Sequence, residues 1–270
     1  MRPRARARRL GQHMLASAAV LAKIIAEAAI KPTDTILEIG PGTGALTRAM
    51  AERAGTIVAV EKDQVLCREL KADIARLGLA NVRLVCSDIL DTPFAALDLG
   101  SDYRIIANIP YYLTSRLMRN LLEAETPPRD MFIMVQREVA ERIVARPPRM
   151  NLLALSVQAY AEAAMLFVVP RLAFAPPPGV DSAFVRIKPR DQTIFERAHI
   201  PPEQLFAVAR AAFGGRRKIL ENTLAAYCRA PKPTIIRLLG RLGLTGKRPQ
   251  ELSVEDWMRV TRSVGKSVLP

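Results

Sequence analysis

The chain has 270 residues, half of them hydrophobic and about a quarter charged, which excludes a disordered or fibrous protein and allows one large domain with a smaller companion. Forty Lys+Arg against 26 Asp+Glu leave a net charge of +14, a balance that points to an anionic partner, of which nucleic acid is the commonest. Three widely spaced cysteines and two histidines supply no metal-ligand spacing and no disulfide framework, so free thiols in a reducing cytosol and no metal are expected.

The N-terminal stretch MRPRARARRL is basic, and MLASAAVLA behind it resembles the apolar part of a leader. Lys23 and Glu27 interrupt that stretch, while Leu21, Ile24, Ile25 and Ala28 keep helical spacing. The reading is an amphipathic first helix behind a basic arm. No run of about twenty apolar residues appears, so no membrane span is expected.

From residue 35 strands and helices alternate. TILEIG (35–40), TIVAVEKD (56–63), VRLVCSD (82–88), YRIIANIP (103–110) and MFIMVQ (131–136) read as strands with helical stretches between them. That alternation predicts an α/β fold with a parallel, doubly wound sheet. AMLFVVP and AFVRIKP (183–189), joined by a proline-rich loop, read as a closing hairpin. Residues 191–270 lack strand signals and hold fourteen basic and seven acidic residues, a net +7. They read as a small basic helical domain after a sheet domain of residues 1–190.

Three strand ends suggest a nucleoside pocket. EIGPGTG (38–44) spaces glycines at 40, 42 and 44, which permit a tight turn and close backbone approach to a ligand. Nicotinamide, flavin and sulfonium cofactors all use such loops, and so does a turn with no ligand. Glu61 ends the second strand, where an acid can accept both ribose hydroxyls, or stand solvated beside Lys62. Asp88 ends the third, where it can accept from an adenine amino group or cap a short turn.

NIPYYLTS (108–115) distinguishes the chemistries. The Asn108 side-chain oxygen and the carbonyl of Pro110 can both accept from one exocyclic NH2, and Tyr111 can stack on the ring that carries it. An adenine amine is a poor nucleophile because its lone pair is delocalised. Two acceptors out of the ring plane favour a tetrahedral nitrogen whose lone pair faces a methyl donor, so catalysis is chiefly positioning and electrostatics. Thr114 or Ser115 reads as the cap of the next helix.

These stretches resemble the ribosomal RNA adenine N6,N6-dimethyltransferases, the KsgA/RsmA family. The resemblance runs through GQHML (11–15), EIGPGTGALT (38–47), AVEKD (59–63), SDIL (87–90) and NIPYYLTS. It continues in MVQREVAERIVARP (134–147), FAPPPGVDSAFVRI (174–187), GGRRKILENTL (214–224) and RPQELSVEDW (248–257). It implies a Rossmann-like, S-adenosylmethionine-dependent methyltransferase sheet followed by a helical RNA-contacting domain, in a cytoplasmic monomer. The implied substrate is 16S rRNA in a small-subunit precursor, dimethylated at adjacent adenosines.

Carried over by residue, the resemblance implies S-adenosylmethionine contacts at His13, Leu15, Gly40, Glu61, Asp88 and Asn108, and catalytic roles for Asn108, Pro110, Tyr111 and Phe174. Phe174 would stack on the face of the base opposite Tyr111, either so or as a core ring closing a hairpin. Arg216, Arg217 and Lys218 would meet RNA phosphates. His13 and Tyr112 stand where the family commonly has amides. Two other readings share much of the pattern: a 23S rRNA adenine methylase conferring macrolide-type resistance, and a ribosome-assembly factor that keeps the fold without the chemistry.

Overall fold

The computed structural model describes residues 13–110, 114–191, 193–215 and 219–267. Two compact units emerge. One comprises the residues through Ala140 together with Ala163–Pro189; the other comprises Glu141–Glu162 together with the residues from Arg190 onward.

The first unit is built on a sheet of β2 (Thr35–Ile39), β3 (Thr56–Val60), β4 (Val82–Val85), β5 (Tyr103–Asn108), β6 (Asp130–Gln136), β7 (Ala161–Val169) and β9 (Ser182–Pro189). Their order is β4-β3-β2-β5-β6-β9-β7. The pairings β4–β3, β3–β2, β2–β5 and β5–β6 are parallel, as the alternating pattern predicts. The hairpin expectation is refined: β9 runs antiparallel to β6 and lies between it and β7. The strands are apolar almost throughout because helices cover the sheet. The order reverses at β2 and β5, the switch point where the C-terminal strand ends leave a crevice.

Helix α1 (Ala18–Ala28) starts at Ser17, whose Oγ accepts from Val20 N, and buries Ile24, Ile25 and Ala28. Its apolar face packs in the core with Met50, Ile57, Phe132 and Phe184, which accounts for the spacing read there. α2 (Ala45–Ala51) and α3 (Gln64–Leu77) follow β2 and β3. α4 (Thr114–Leu122) leads from NIPYYLTS to β6, and α5 (Arg137–Ile143) follows β6. The caps read at Thr114 and Ser115 fall on side chains outside the described residues. At the opposite, N-terminal end of the strands Arg104 is buried between Asp34 (2.8 Å) and Asp130 (2.7 Å), and Arg129 adds a second bond to Asp34 (2.6 Å).

The expectation of three free thiols is corrected. Cys67 and Cys86 are joined as a disulfide, and only Cys228 is free. The β3–α3–β4 crossover brings residues 19 apart in sequence to a Cα separation of 5.9 Å, within bridging reach. Sequence spacing alone carried no such signal.

The second unit is helical: α6 (Leu152–Gln158), α7 (Ile194–Ala198), α8 (Pro202–Phe213), α9 (Leu220–Cys228), α10 (Lys232–Leu242) and α11 (Val254–Ser267). A division at residue 190 misses that Glu141–Glu162 belongs here. Tyr160 stacks among Phe195 (4.8 Å) and Phe206 (6.3 Å), and Met150 N donates to Gln250 O at 2.9 Å. Trp257, fully buried, packs on Phe213 at 5.3 Å. Among the described residues no helix is long and apolar enough to cross a membrane, and no cluster of His, Cys, Asp or Glu could hold a metal ion.

Candidate active site at the strand ends

The glycine loop turns between β2 and α2 with Gly40, Gly42 and Gly44 at φ of +70°, +59° and +75°, a region that side chains other than glycine rarely adopt. Gly40 also answers for the proline of NIPY: a Cβ there would stand 3.3 Å from Pro110 Cδ. The ends of β2 and β5 therefore meet through the first glycine and that proline.

Glu61 follows β3 and is 3 % exposed. Its Oε2 accepts from Gly42 N at 3.0 Å and its Oε1 from Asp63 N at 2.8 Å. A carboxylate has about four acceptor sites, so these main-chain bonds leave room for a further donor such as a ribose hydroxyl. Burial raises its carboxyl above the ordinary value, while the backbone N–H bonds pull the other way. Asp88 lies in the turn after β4, where Lys62 Nζ pairs with Oδ2 at 2.5 Å and Leu90 N donates to Oδ1 at 3.0 Å. It thus caps the turn.

Asn108 ends β5, and its Nδ2 donates to the His13 carbonyl at 3.1 Å. The donor half of the amide is engaged there, so Oδ1 is the half that can meet an amine. The His13 ring nitrogen Nδ1 in turn lies 2.9 Å from Pro176 O. Behind His13, Met14 and Leu15 form β1 and pair with β8 (Phe174–Ala175), Leu15 opposite Phe174. The segment thus bridges the end of β5 and the proline loop before β9.

Two site expectations change. The Leu15 side chain is 5 % exposed and lies in the core, leaving the main chain for a cofactor contact. Phe174 is 2 % exposed and belongs to the same core cluster, so its ring offers no open face to a base. The pairing of β1 with β8 sets Phe174 opposite Leu15 in that core. Tyr111 and Tyr112 of NIPYYLTS, and Arg216, Arg217 and Lys218, lie outside the described residues.

One residue was missed. Glu38, in the glycine-loop motif, is 2 % exposed and accepts a 2.6 Å bond from Thr47 Oγ1. Burial, with the nearby Glu61 charge, pushes its carboxyl up to about 8 despite that bond. A lone acid inside the apolar strand TILEIG was the available signal.

The sequence matches the family described as ribosomal RNA adenine dimethylase over residues 4–260. The protein belongs to that family. A relative from Dehalococcoides mccartyi named ribosomal RNA small subunit methyltransferase A is 46 % identical over 93 % of this chain and 86 % of its own. Among solved structures, a dimethyladenosine transferase from Plasmodium falciparum superposes with a TM-score of 0.79 at 25 % identity, covering 94 % of this chain and 98 % of that one. The 23S rRNA methyltransferase ErmE gives 0.74 at 26 % identity, covering 93 % and 99 %. The fold is that of these methyltransferases, and the chain is an rRNA adenine dimethyltransferase by family.

Proposed function

We propose that the protein transfers methyl groups from S-adenosylmethionine to N6 of adjacent adenosines in a small-subunit rRNA hairpin. The observation that carries this reading is the orientation of Asn108. With Nδ2 held by the His13 carbonyl, Oδ1 is the half of the amide left to accept at the end of β5, two residues before the Pro110 that packs on Gly40. A hydride-transfer site has no use for an amide acceptor at this strand end.

The residues fit the methyl donor. Glu61 provides a buried carboxylate that can accept from a ribose hydroxyl, Asp88 an acceptor for the adenine amine, and Gly40 and Gly42 a tight turn at positive φ that lets the main chain approach a ligand. When bound, S-adenosylmethionine supplies an electrophilic methyl on a sulfonium. Asn108 Oδ1 and the Pro110 carbonyl hold the two N–H bonds of the target amine and turn its lone pair out of conjugation. Tyr111 stacks on the base, an interaction worth roughly 1–3 kcal/mol for a base taken out of its helix. The methylated amine loses its proton to solvent, so no strong general base is needed.

The basic second unit supports RNA recognition by backbone and shape. We assign phosphate contacts to Arg216, Arg217 and Lys218, with the polymer being the 16S rRNA of a small-subunit precursor. ErmE favours a second reading, 23S rRNA as substrate, but the 46 % identical small-subunit relative weighs more than a structure at 26 % identity. The test is methylation of both subunits from a strain lacking the small-subunit methylase, with products mapped by mass spectrometry. Dimethyladenosine pairs in a small-subunit hairpin are expected. Modification confined to 23S rRNA would establish the second reading, and none in either subunit would overturn both.

A further inference from the structure

The second unit buries a carboxylate at the start of α9. Glu221, in the first turn of α9, is 2 % exposed. Its Oε1 accepts from the backbone N–H of Gly246, and its Oε2 is buried with no hydrogen-bond partner among the described residues. A buried carboxylate oxygen left unpaired costs free energy, so the bond the other oxygen makes calls for a reason.

The bond has a neighbour. Leu220 N donates to Lys247 O at 2.9 Å, so one side-chain and one main-chain bond lace the start of α9 to the turn at 243–248. That turn leaves α10 at Gly243 (φ +72°) and bends at Gly246 (φ +76°). A Cβ on Gly246 would meet nothing within 4 Å, so its backbone angle, not its space, selects glycine. Immediately after the bend, Lys247 and Arg248 are exposed and form no ion pair among the described residues. Arg248 N is tied to Glu251 Oε2 at 2.6 Å, which fixes the far side of the turn.

We infer that Glu221 is a positioning residue that pins this turn so that Lys247 and Arg248 stand ready for the phosphate backbone of RNA. The inference rests on the reading of the second unit as RNA-contacting. The physical gain is a smaller ordering cost on binding: the backbone under both cations is fixed beforehand. Because Glu221 points inward to Gly246 N, it holds the turn without neutralising the two cations.

The experiment measures affinity for methylase-deficient small subunits over a salt series, with thermal unfolding in parallel. Lys247→Ala/Arg248→Ala should weaken binding and lower the salt slope by somewhat under two units, the loss expected for two phosphate contacts. Glu221→Ala should weaken binding about three- to tenfold with the slope unchanged, because the contacts remain and only their ordering costs more. Glu221→Gln, which keeps an acceptor for Gly246 N, should bind as wild type. Adding Glu221→Ala to Lys247→Ala/Arg248→Ala should have no further effect, whereas general damage to the unit would add. Gly246→Ala, which disfavours the bend from the other side, should copy Glu221→Ala and serves if that variant does not fold. If Lys247→Ala/Arg248→Ala binds as wild type, the turn is not an RNA contact and the underlying reading fails there. If it weakens binding but Glu221→Ala and Gly246→Ala do not, or their effects persist without the two cations, the positioning role is overturned.

Discussion

The side chain of Asn108 is held by the main chain of His13, 95 residues earlier, through a 3.1 Å bond from Nδ2 to the carbonyl oxygen. The residue proposed to hold the target amine is therefore oriented by a segment before the sheet begins. Asn108→Ala should leave RNA affinity nearly intact and lower the single-turnover methylation rate about a hundredfold or more, the scale of losing a transition-state hydrogen bond. A rate within about threefold of wild type, less than one kcal/mol of barrier, would contradict the role.

Glu61→Ala should weaken S-adenosylmethionine binding by about 1–3 kcal/mol, the usual cost of a charge-assisted hydrogen bond. Burial raises the Glu61 carboxyl, so the ionised, ribose-accepting form is lost at a higher pH than for an exposed glutamate. Wild-type affinity should fall on acidification, and the variant should lack that dependence. Calorimetry at several pH values decides; equal affinities would remove Glu61 from the site.

Glu38 bears on stability. Its folded-state carboxyl is pushed up to about 8 from an ordinary 4.5, so the folded protein retains a proton that the unfolded chain releases. The associated stability is fully present below pH 4.5 and is lost as pH rises towards and through about 8. Glu38→Gln cannot ionise and can still accept from Thr47. Its stability relative to wild type should therefore rise between pH 4.5 and about 8 and then level off. Urea midpoints across that range give the answer, and a pH-independent difference would refute it.

Arg104 holds the other end of the sheet. Arg104→Met leaves Asp130 buried without its partner, whereas Asp34 keeps Arg129. The loss should be about 3–5 kcal/mol of unfolding free energy, as for other broken buried pairs. Arg104 lies four residues before Asn108 on β5, roughly 13 Å away at strand spacing, so the folded variant should bind S-adenosylmethionine normally. A melting temperature within about a degree of wild type would mean the network is dispensable.

What could be read from the sequence was what local pattern encodes. Apolar runs ending at Ile39, Val60 and Asn108 placed the strands, and the residues behind them placed Gly40, Glu61 and Pro110 at one edge. What escaped depends on long-range pairing. Phe174 reads first as a ring stacked on the target base, with a core ring as the alternative, and its place opposite Leu15 comes only from the pairing of β1 with β8. Cys67 and Cys86 reveal their pairing only through the crossover, and Glu141–Glu162 reveals its unit only through the Tyr160 aromatic cluster. The role of Glu221 rests on its bond from Gly246 N, 25 residues on, which no local pattern encodes.

The place of β9 has a consequence for the order of synthesis. β6 carries the apolar run Met131–Val135, and its partner on one side, Ser182–Pro189, is made about fifty residues later. While the chain emerges from the ribosome, that edge of β6 stays unpaired, and the intervening Glu141–Glu162 has its own partners later still. An uncovered apolar edge is a template for pairing with other chains. Slow translation between residues 136 and 189 therefore prolongs the interval in which that edge is open to pairing with other chains.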